Sequence, residues 1–124
     1  MGDKVIDASA LAAVAFAESD ADDVIDEIDG HSLHAPTLLV FELMSVAWKR
    51  ARKQPAAITL FLEALEALDG LDLHFRGIDQ AAVVRLGLAT GLTAYDASYL
   101  WLARSLGMPL VTLDRMLGAH TTQL

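Results

Sequence analysis

Four acidic residues of the sequence lie in apolar surroundings, where an unpartnered carboxylate is costly to bury. Asp7 ends the short apolar run "KVID", and Asp114 ends the apolar run "PLVTLD". Glu42 interrupts the apolar segment "TLLVFELMSVAW", and Asp96 lies in the first turn of the helix predicted for "TAYDASYLWLARSLG". Carboxylates in such positions are typical of metal ligands and of general acids and bases, so these four are the candidate functional residues.

Helical geometry places Asp96 on the apolar face of its helix rather than on the polar face. At 100° per residue, Asp96 shares its face with four apolar residues, Leu92, Tyr99, Leu100 and Ala103. Ser98 and Ser105 fall on the opposite side. A structural alternative is capping, because a threonine followed three residues later by an acid resembles a capping box. Thr93 would then be the N-cap, and Asp96 would lie near the positive end of the helix.

The other three acids also have structural alternatives. Glu42 lies too far inside its helix to cap it, but it can sit at the rim of the core and pair with Lys49 or Arg50. Asp7 and Asp114 each follow a strand-like run, and an acid in that position often caps the next helix. Taken singly, none of these acids requires a catalytic role.

The pattern of apolar runs predicts an α/β fold with a small, mainly parallel sheet flanked by helices. The strand-like runs are Lys4–Asp7, 31–36, Leu71–Phe75 and Pro109–Asp114. Helical segments separate these runs, the longest being "PTLLVFELMSVAWKRARK". Functional sites in such sheets form at the carboxyl ends of the strands, so Asp7 and Asp114 are predicted to lie at one edge of the sheet.

If the four acids meet at that edge, their repulsion requires a proton or a cation. Two carboxylates about 4 Å apart repel by roughly 4 kcal/mol at an effective dielectric constant near 20. Several such pairs together rival the whole stability of a domain, about 5–15 kcal/mol. An all-oxygen site favours hard cations such as Mg²⁺ or Mn²⁺. Carboxylates that hold such ions are suited to phosphodiester hydrolysis.

The sequence resembles the PIN-domain ribonucleases that act as toxins in type II VapBC toxin–antitoxin pairs. The resemblance covers essentially the whole chain and rests on "VIDAS", "PTLLVFELMSVAWK" and "TAYDASYLWLARSLGMPLVTLD". It implies a three-layer α/β fold and a metal-dependent endoribonuclease that a cognate antitoxin inhibits. One departure is Phe41, which stands before Glu42 where relatives often carry Asn or a small polar residue.

The resemblance also implies roles for individual residues of this chain. Asp7, Asp96 and Asp114 would bind Mg²⁺ or Mn²⁺ most directly, with Glu42 assisting. Ser9 and Thr112 would orient a carboxylate or a metal-bound water.

Composition and charge add weaker expectations. The 124 residues suit one domain over residues 1–124, and the chain has no cysteine, no signal-peptide pattern and no transmembrane span, which favours the cytoplasm. A hydrophobic content of 54% favours a homodimer, whereas a net charge of −8 argues against a general nucleic-acid binder.

Positive charge is concentrated in "WKRARK". Lys49 and Lys53 share the helical face of Glu42, and Arg115 follows Asp114 directly. These three cations are candidates for contact with the RNA backbone. The alternative is an ordinary solvated helix end, where Lys and Arg are favoured. The four histidines, His31, His34, His74 and His120, show no metal-ligand spacing and are interpreted as structural.

Two other functions remain open from the sequence. Asp7 at a strand end also suits an aspartyl-phosphate nucleophile in a phosphotransfer domain, although such domains carry a second acid two residues on, where this chain has Ser9. The third possibility is a PIN-like scaffold that acts through protein contacts alone.

Overall fold

The fold is built on a sheet of four parallel strands. The structure is a computed structural model that describes residues 2–121. In chain order the strands are β1 Asp3–Ile6, β2 Ser32–Ala35, β3 Leu73–Phe75 and β4 Leu110–Val111. Their spatial order is β3-β2-β1-β4, and every pairing is parallel. The predicted α/β class is therefore confirmed.

Seven α-helices connect and flank the strands in the described part of the chain: α1 Ala8–Ala15, α2 Ala21–Ile28, α3 Leu38–Lys53, α4 Ile58–Ala67, α5 Gln80–Thr90, α6 Ala94–Leu106 and α7 Arg115–Thr121. Short 3-10 turns flank α4 at Pro55–Ala57 and Leu68–Gly70. One group of helices packs around α1, which contacts α2, α3 and α4, and a second group packs around α6, which contacts α5 and α7. The result is the predicted three-layer arrangement.

The central strand β1 positions the candidate site. Val5 pairs with His34 of β2 on one side and with Leu110 of β4 on the other. Val5 and Ile6 are completely buried because neighbours cover both edges and both faces of the strand. Asp7 follows directly, so its side chain lies where the parallel strands end.

The last strand is shorter than the predicted run Pro109–Asp114. β4 ends at Val111, and Thr112–Asp114 leave the sheet. The cause is a local capping structure. Thr112 Oγ1 accepts a hydrogen bond from the N–H of Asp114, and Asp114 Oδ1 accepts one from the N–H of Leu117. These bonds begin α7, a helix that the sequence pattern did not predict.

Helix α6 is buried on more than the face predicted from the sequence. Tyr99, Leu100 and Ala103 are buried as expected, but Ser98 on the supposed polar face is only 4% exposed. Helix α6 contacts β1 and β4 and is also covered by α5, so the four consecutive residues 97–100 are all buried. The Ser98 hydroxyl is satisfied locally by donating to the carbonyl oxygen of Tyr95.

Two further features concern the surface. Trp48 is 58% exposed, and its ring is covered by the Arg52 guanidinium at 4.8 Å. Among residues 2–121, no helix is long and apolar enough to cross a membrane.

The close approach of α5 to the start of α6 depends on Gly87, which is buried. A Cβ atom at this position would lie 3.1 Å from the carbonyl oxygen of Leu92 and 3.5 Å from Cβ of Ala97. We expect Gly87→Ala to lower the free energy of unfolding by about 1–3 kcal/mol through overpacking. Gly118→Ala is the matched control, because its Cβ would meet only Thr112 Cγ2 at 3.8 Å. Urea unfolding measures both, and equal or greater stability of Gly87→Ala would contradict the packing argument.

Candidate active site at the carboxyl edge of the sheet

Asp7 is the most deeply buried of the four acids, with 4% of its surface exposed. Its Oδ1 accepts hydrogen bonds from Ser9 Oγ at 2.7 Å and from the N–H of Ala10 at 3.0 Å. Its Oδ2 accepts from Thr112 Oγ1 at 2.5 Å. The bond from Ala10 makes Asp7 the N-cap of α1, as the capping alternative predicted. Capping is therefore part of what this carboxylate does.

Ser9 and Thr112 join the two ends of the chain around that carboxylate. Each hydroxyl donates its single proton to Asp7 and accepts from a backbone N–H. Ser9 Oγ accepts from Leu113 at 2.9 Å, and Thr112 Oγ1 accepts from Asp114 at 3.0 Å. Because a hydroxyl has only one proton to donate, these bonds fix the orientation of both hydroxyl groups. The arrangement fixes the Asp7 carboxylate and places Asp114 beside it.

Glu42 meets the site through a contact between α3 and α6. Tyr99 Oη donates a hydrogen bond of 2.5 Å to Glu42 Oε1. Arg50 pairs instead with Glu18 and lies over the ring of Phe16. No ion pair joins Glu42 to Lys49 or Arg50 within residues 2–121, so pairing at the core rim was the wrong alternative.

Asp96 lies in the capped first turn of α6 and close enough to other carboxylates to interact with them. Thr93 Oγ1 accepts from the N–H of Asp96 at 3.1 Å, so Thr93 is the N-cap of α6 as predicted. The Asp96 carboxylate is partly buried and interacts electrostatically with Asp114 and Asp7. Capping explains the position of Thr93, but it does not explain the proximity of three carboxylates.

The pKa values of these acids show that they lie within electrostatic reach of one another. Burial is the main cause that raises the pKa of Asp7, Glu42 and Asp96. Like charges add to it. Asp114 raises the pKa of Asp7, Asp7 and Asp96 raise that of Glu42, and Asp114 and Asp7 raise that of Asp96. Hydrogen bonds from Thr112, Ala10 and Ser9 oppose the shift at Asp7, but desolvation outweighs them.

The four carboxylates supply the kind of oxygen ligand that a hard divalent cation takes, although three of them accept hydrogen bonds from protein groups. Four carboxylates of one sign at one sheet edge are the oxygen ligands that Mg²⁺ and Mn²⁺ prefer. Within residues 2–121, no three acidic or histidine side chains stand close enough together to hold an ion as they are placed. Asp7, Glu42 and Asp114 each accept hydrogen bonds from neighbouring residues.

Tyr99 is the functional candidate that the sequence analysis missed. The helical wheel placed it beside Asp96, but only as an apolar neighbour. Its side chain is 1% exposed, and burial together with the Glu42 carboxylate raises the pKa of its hydroxyl. A tyrosine predicted on a buried helix face could have indicated this role, because a buried tyrosine hydroxyl usually has a hydrogen-bond partner. Which partner it has depends on how α3 and α6 pack.

The predicted RNA contacts lie on the surface near these acids. Lys49 and Lys53 are exposed on α3 and line a shallow cavity of about 400 Å³ with Val46, Arg50 and Gln54. They are about 10 and 17 Å along the helix from Glu42. Arg115 is exposed at the first position of α7.

Three of the four histidines, His31, His34 and His74, lie around β2 and β3, and His120 lies on α7. His34 is buried and stacks on His74 with ring centroids 5.2 Å apart. His74 Nε2 bonds to Asp72 Oδ1 at 2.6 Å, and His31 Nδ1 bonds to the carbonyl oxygen of Gly2 at 2.9 Å. These contacts link strand ends and loops.

The raised pKa values generate a test in metal-free buffer. A carboxyl group whose pKa is higher in the folded than in the unfolded state lowers the free energy of unfolding at high pH. This destabilisation disappears as the pH falls through the folded pKa and the group becomes protonated. We therefore expect Asp7→Asn to melt a few degrees above the wild type near neutral pH in EDTA. The difference should shrink as the pH is lowered towards about 4. Asp26→Asn on exposed α2 is the control, and a difference that grows with falling pH would contradict the assignment.

Comparisons with known proteins identify relatives of this chain. The family model described as PIN domain matches residues 4–120. The chain is 32% identical over 119 residues to Ribonuclease VapC3 of Pyrobaculum aerophilum, which covers 92% of this chain and 91% of that protein. Exonuclease VapC9 of the same organism is 36% identical over 88 residues, which covers 68% of this chain and 63% of that protein.

A solved structure gives the same result for the fold. The crystal structure of PAE2754 from Pyrobaculum aerophilum superposes on the chain with a TM-score of 0.80 and 32% sequence identity, covering 96% of this chain and 84% of that one. The family model itself extends from β1 to α7. The chain belongs to the PIN-domain family.

Proposed function

We propose that this protein is a toxin-type, metal-dependent endoribonuclease whose four acids hold Mg²⁺ or Mn²⁺ at the carboxyl edge of the sheet. The observation that carries the proposal is that like charges act between these acids: Asp114 on Asp7, Asp7 and Asp96 on Glu42, and Asp114 and Asp7 on Asp96. Family membership and the names of the relatives, Ribonuclease VapC3 and Exonuclease VapC9, support it. We further propose that residues 1–124 form one nuclease domain that acts in the cytoplasm.

The mechanism rests on how the protein holds its acids. A bound divalent ion supplies charge stabilisation at the phosphate and a more acidic water. Asp7 is held on both oxygens by Ser9 and Thr112, so it enters the site with a fixed orientation. Asp96 and Asp114 approach it from the starts of α6 and α7. Such preorganisation limits the rearrangement that the reaction requires.

Glu42 contributes to the site from α3, an element that carries none of the other three acids. It lies in the second turn of α3, is half-buried and is held by the hydroxyl of Tyr99. With this bond intact, Glu42 assists the other three acids from one side of the site. Tyr99 acts as a positioning residue, since it touches Glu42 and lies below the surface.

The exposed cations provide a path for the RNA backbone. Lys49 and Lys53 extend from the face of α3 that carries Glu42, and Arg115 follows Asp114. In a chain of net charge −8, such local positive charge offsets the repulsion of a phosphate backbone. We propose that these residues contact phosphates on either side of the site.

A cognate antitoxin and a second copy of the chain are the proposed protein partners. The antitoxin follows from the toxin-type relationship that the relative's name, Ribonuclease VapC3, supports. The homodimer stays a prediction from composition, to which the structure adds exposed apolar side chains on α3, among them Phe41 at 63% and Trp48 at 58%. Sedimentation of the purified chain with and without its antitoxin measures both.

The two alternative functions are less well supported. An aspartyl-phosphate domain carries a second acid two residues after its nucleophile, whereas this chain has Ser9 there, and Ser9 Oγ donates a hydrogen bond to Asp7 Oδ1. In a scaffold that only binds proteins, repulsion among these carboxylates would lower the stability of the fold without serving a function. Titration calorimetry with Mn²⁺ separates the scaffold from the nuclease, because a scaffold would show no binding that depends on these acids.

Substitution of the acids tests the proposed activity. We expect Asp7→Asn and Asp96→Asn each to lower the rate of single-stranded RNA cleavage by about 100-fold or more, because each removes a charged ligand from the site. EDTA should abolish cleavage by the wild type, and Mg²⁺ should restore it. Asp26→Asn, an exposed acid of α2, is the matched control. Cleavage that is unchanged in both site variants would refute the proposal.

Substitution of Tyr99 tests its positioning role. Tyr99→Phe removes only the hydroxyl, whose hydrogen bond lowers the pKa of Glu42. We expect that pKa to rise further in the variant, as measured by the ¹³C chemical shift of the Glu42 carboxyl group across a pH titration. Mn²⁺ should bind more weakly by calorimetry, with Asp7 and Asp96 titrating nearly as before. An unchanged Glu42 titration would show that Tyr99 serves packing alone.

A further inference from the structure

A second concave feature adjoins the acid cluster and is unlike it in chemistry. It is a cavity of about 510 Å³ between the β2–α3 turn, the loop that follows β3 and the first turns of α5 and α6. Its walls are mainly apolar and include Leu38, Ile78 and Val84. The lining also includes two aromatic rings, Phe75 and Tyr95, and one cation, Arg76. The volume is in the range of about 300–1,000 Å³ that is typical of small-ligand sites.

Helical geometry places this cavity near Asp96 and near the hydrogen bond between Tyr99 and Glu42. Tyr95 lies one turn before Tyr99 on α6, and Leu38 lies one turn before Glu42 on α3. Tyr99 and Glu42 are joined by a hydrogen bond. Tyr95 and Leu38, which line the cavity, therefore lie about 6 Å along their helices from the two residues that form this bond, towards the start of both helices. Tyr95 also directly precedes Asp96, so the cavity and the acid cluster share the first turn of α6.

The lining suits a flat heteroaromatic group with a phosphate beside it. Tyr95 is 64% exposed and Phe75 is 46% exposed, although both are large aromatic side chains at a concave surface. Proteins that bind single-stranded nucleic acid stack bases on such rings and pair nearby phosphates with arginine. Arg76 supplies that cation, and its backbone N–H is fixed by the carbonyl oxygen of Ala35. In a chain of net charge −8, a cation at this position favours an anionic ligand.

We propose that this cavity holds one nucleobase of single-stranded RNA, next to the phosphate that the acid cluster hydrolyses. The base stacks on Tyr95 and Phe75, and Arg76 contacts a phosphate on the side away from the acids. The inference rests on the proposed function and adds to it, since it assigns base contacts to a site otherwise defined by phosphate chemistry. The cavity would then influence which nucleotide lies beside the cleaved bond.

The test uses short single-stranded RNAs that carry 2-aminopurine at successive positions. Wild-type protein binds them in buffer with Ca²⁺ in place of Mg²⁺, and a gel of the same samples verifies that the RNA is intact. Stacking should quench the fluorescence at one position. Tyr95→Ala should abolish that quenching and weaken binding by about 5- to 150-fold, the range for loss of one base–aromatic stack. Tyr95→Phe retains the ring and should bind and quench like the wild type.

Leu88→Ala is the matched control on α5, because Leu88 is 83% exposed and lies outside the cavity. Tyr95→Ala that binds and quenches like the wild type would overturn the proposal, as would RNA that binds without quenching at any position. A change of oligomeric state in Tyr95→Ala, measured by sedimentation, would also overturn it by identifying the cavity as a contact between chains.

Cleavage in Mg²⁺ separates this inference from the proposed function. Wild-type cleavage with unaltered site preference in Tyr95→Ala would overturn the base contact and leave the nuclease intact. A wild type that cleaves no RNA would overturn the nuclease, and the fluorescence assay would still decide whether the cavity binds a base.

Discussion

The carboxylate of Asp7 is the charge on which the arrangement of the whole edge depends. It lies at the end of the central strand, is 4% exposed, and accepts hydrogen bonds from Ser9, Ala10 and Thr112. Thr112 lies 105 residues away in sequence, so the bond that satisfies this charge also closes the chain into one sheet. A buried carboxylate without such donors would be costly, which makes the hydroxyls part of the fold as well as of the site.

The same carboxylate sets a limit on stability. Three hydrogen bonds do not compensate for its burial, and the other acids add repulsion. Natural sites of this kind retain strain or charge because function requires it, and the surrounding core must compensate. Here the compensation comes from the completely buried strand residues Val5 and Ile6 and from the helices that cover them. The cluster is therefore held together by the fold rather than by its own interactions.

Much of this could be predicted from residue types and spacing. The alternation of apolar runs and helical segments predicts the parallel sheet, and an acid at the end of such a run marks the edge where a site forms. Asp7, Glu42, Asp96 and Asp114 stand out because each interrupts or ends an apolar stretch. Local patterns also predict that Thr93 caps α6, and the structure confirms it.

The remainder depends on contacts between distant segments. The bond between Tyr99 and Glu42 spans 57 residues and exists because α3 and α6 start at the same edge of the sheet. No helical wheel of either segment contains that information. The early end of β4 and the extra helix α7 follow from the hydroxyl of Thr112, whose partners come from both chain ends. Ser98 is buried because α5 covers a face that looks polar in isolation.

Acidic residues are concentrated in two places in this chain, which allows cation binding at the proposed site to be compared with binding at an ordinary acidic surface. Helix α2 and its flanks carry a run of acids in "ESDADDVIDEID", most of them exposed, whereas the four site acids come from separate elements. Titration with Mn²⁺ followed by paramagnetic broadening of backbone amide signals distinguishes the two. Broadening that saturates first around Asp7, Glu42, Asp96 and Asp114 is the predicted result. Broadening centred on α2, or none that saturates, would contradict the account.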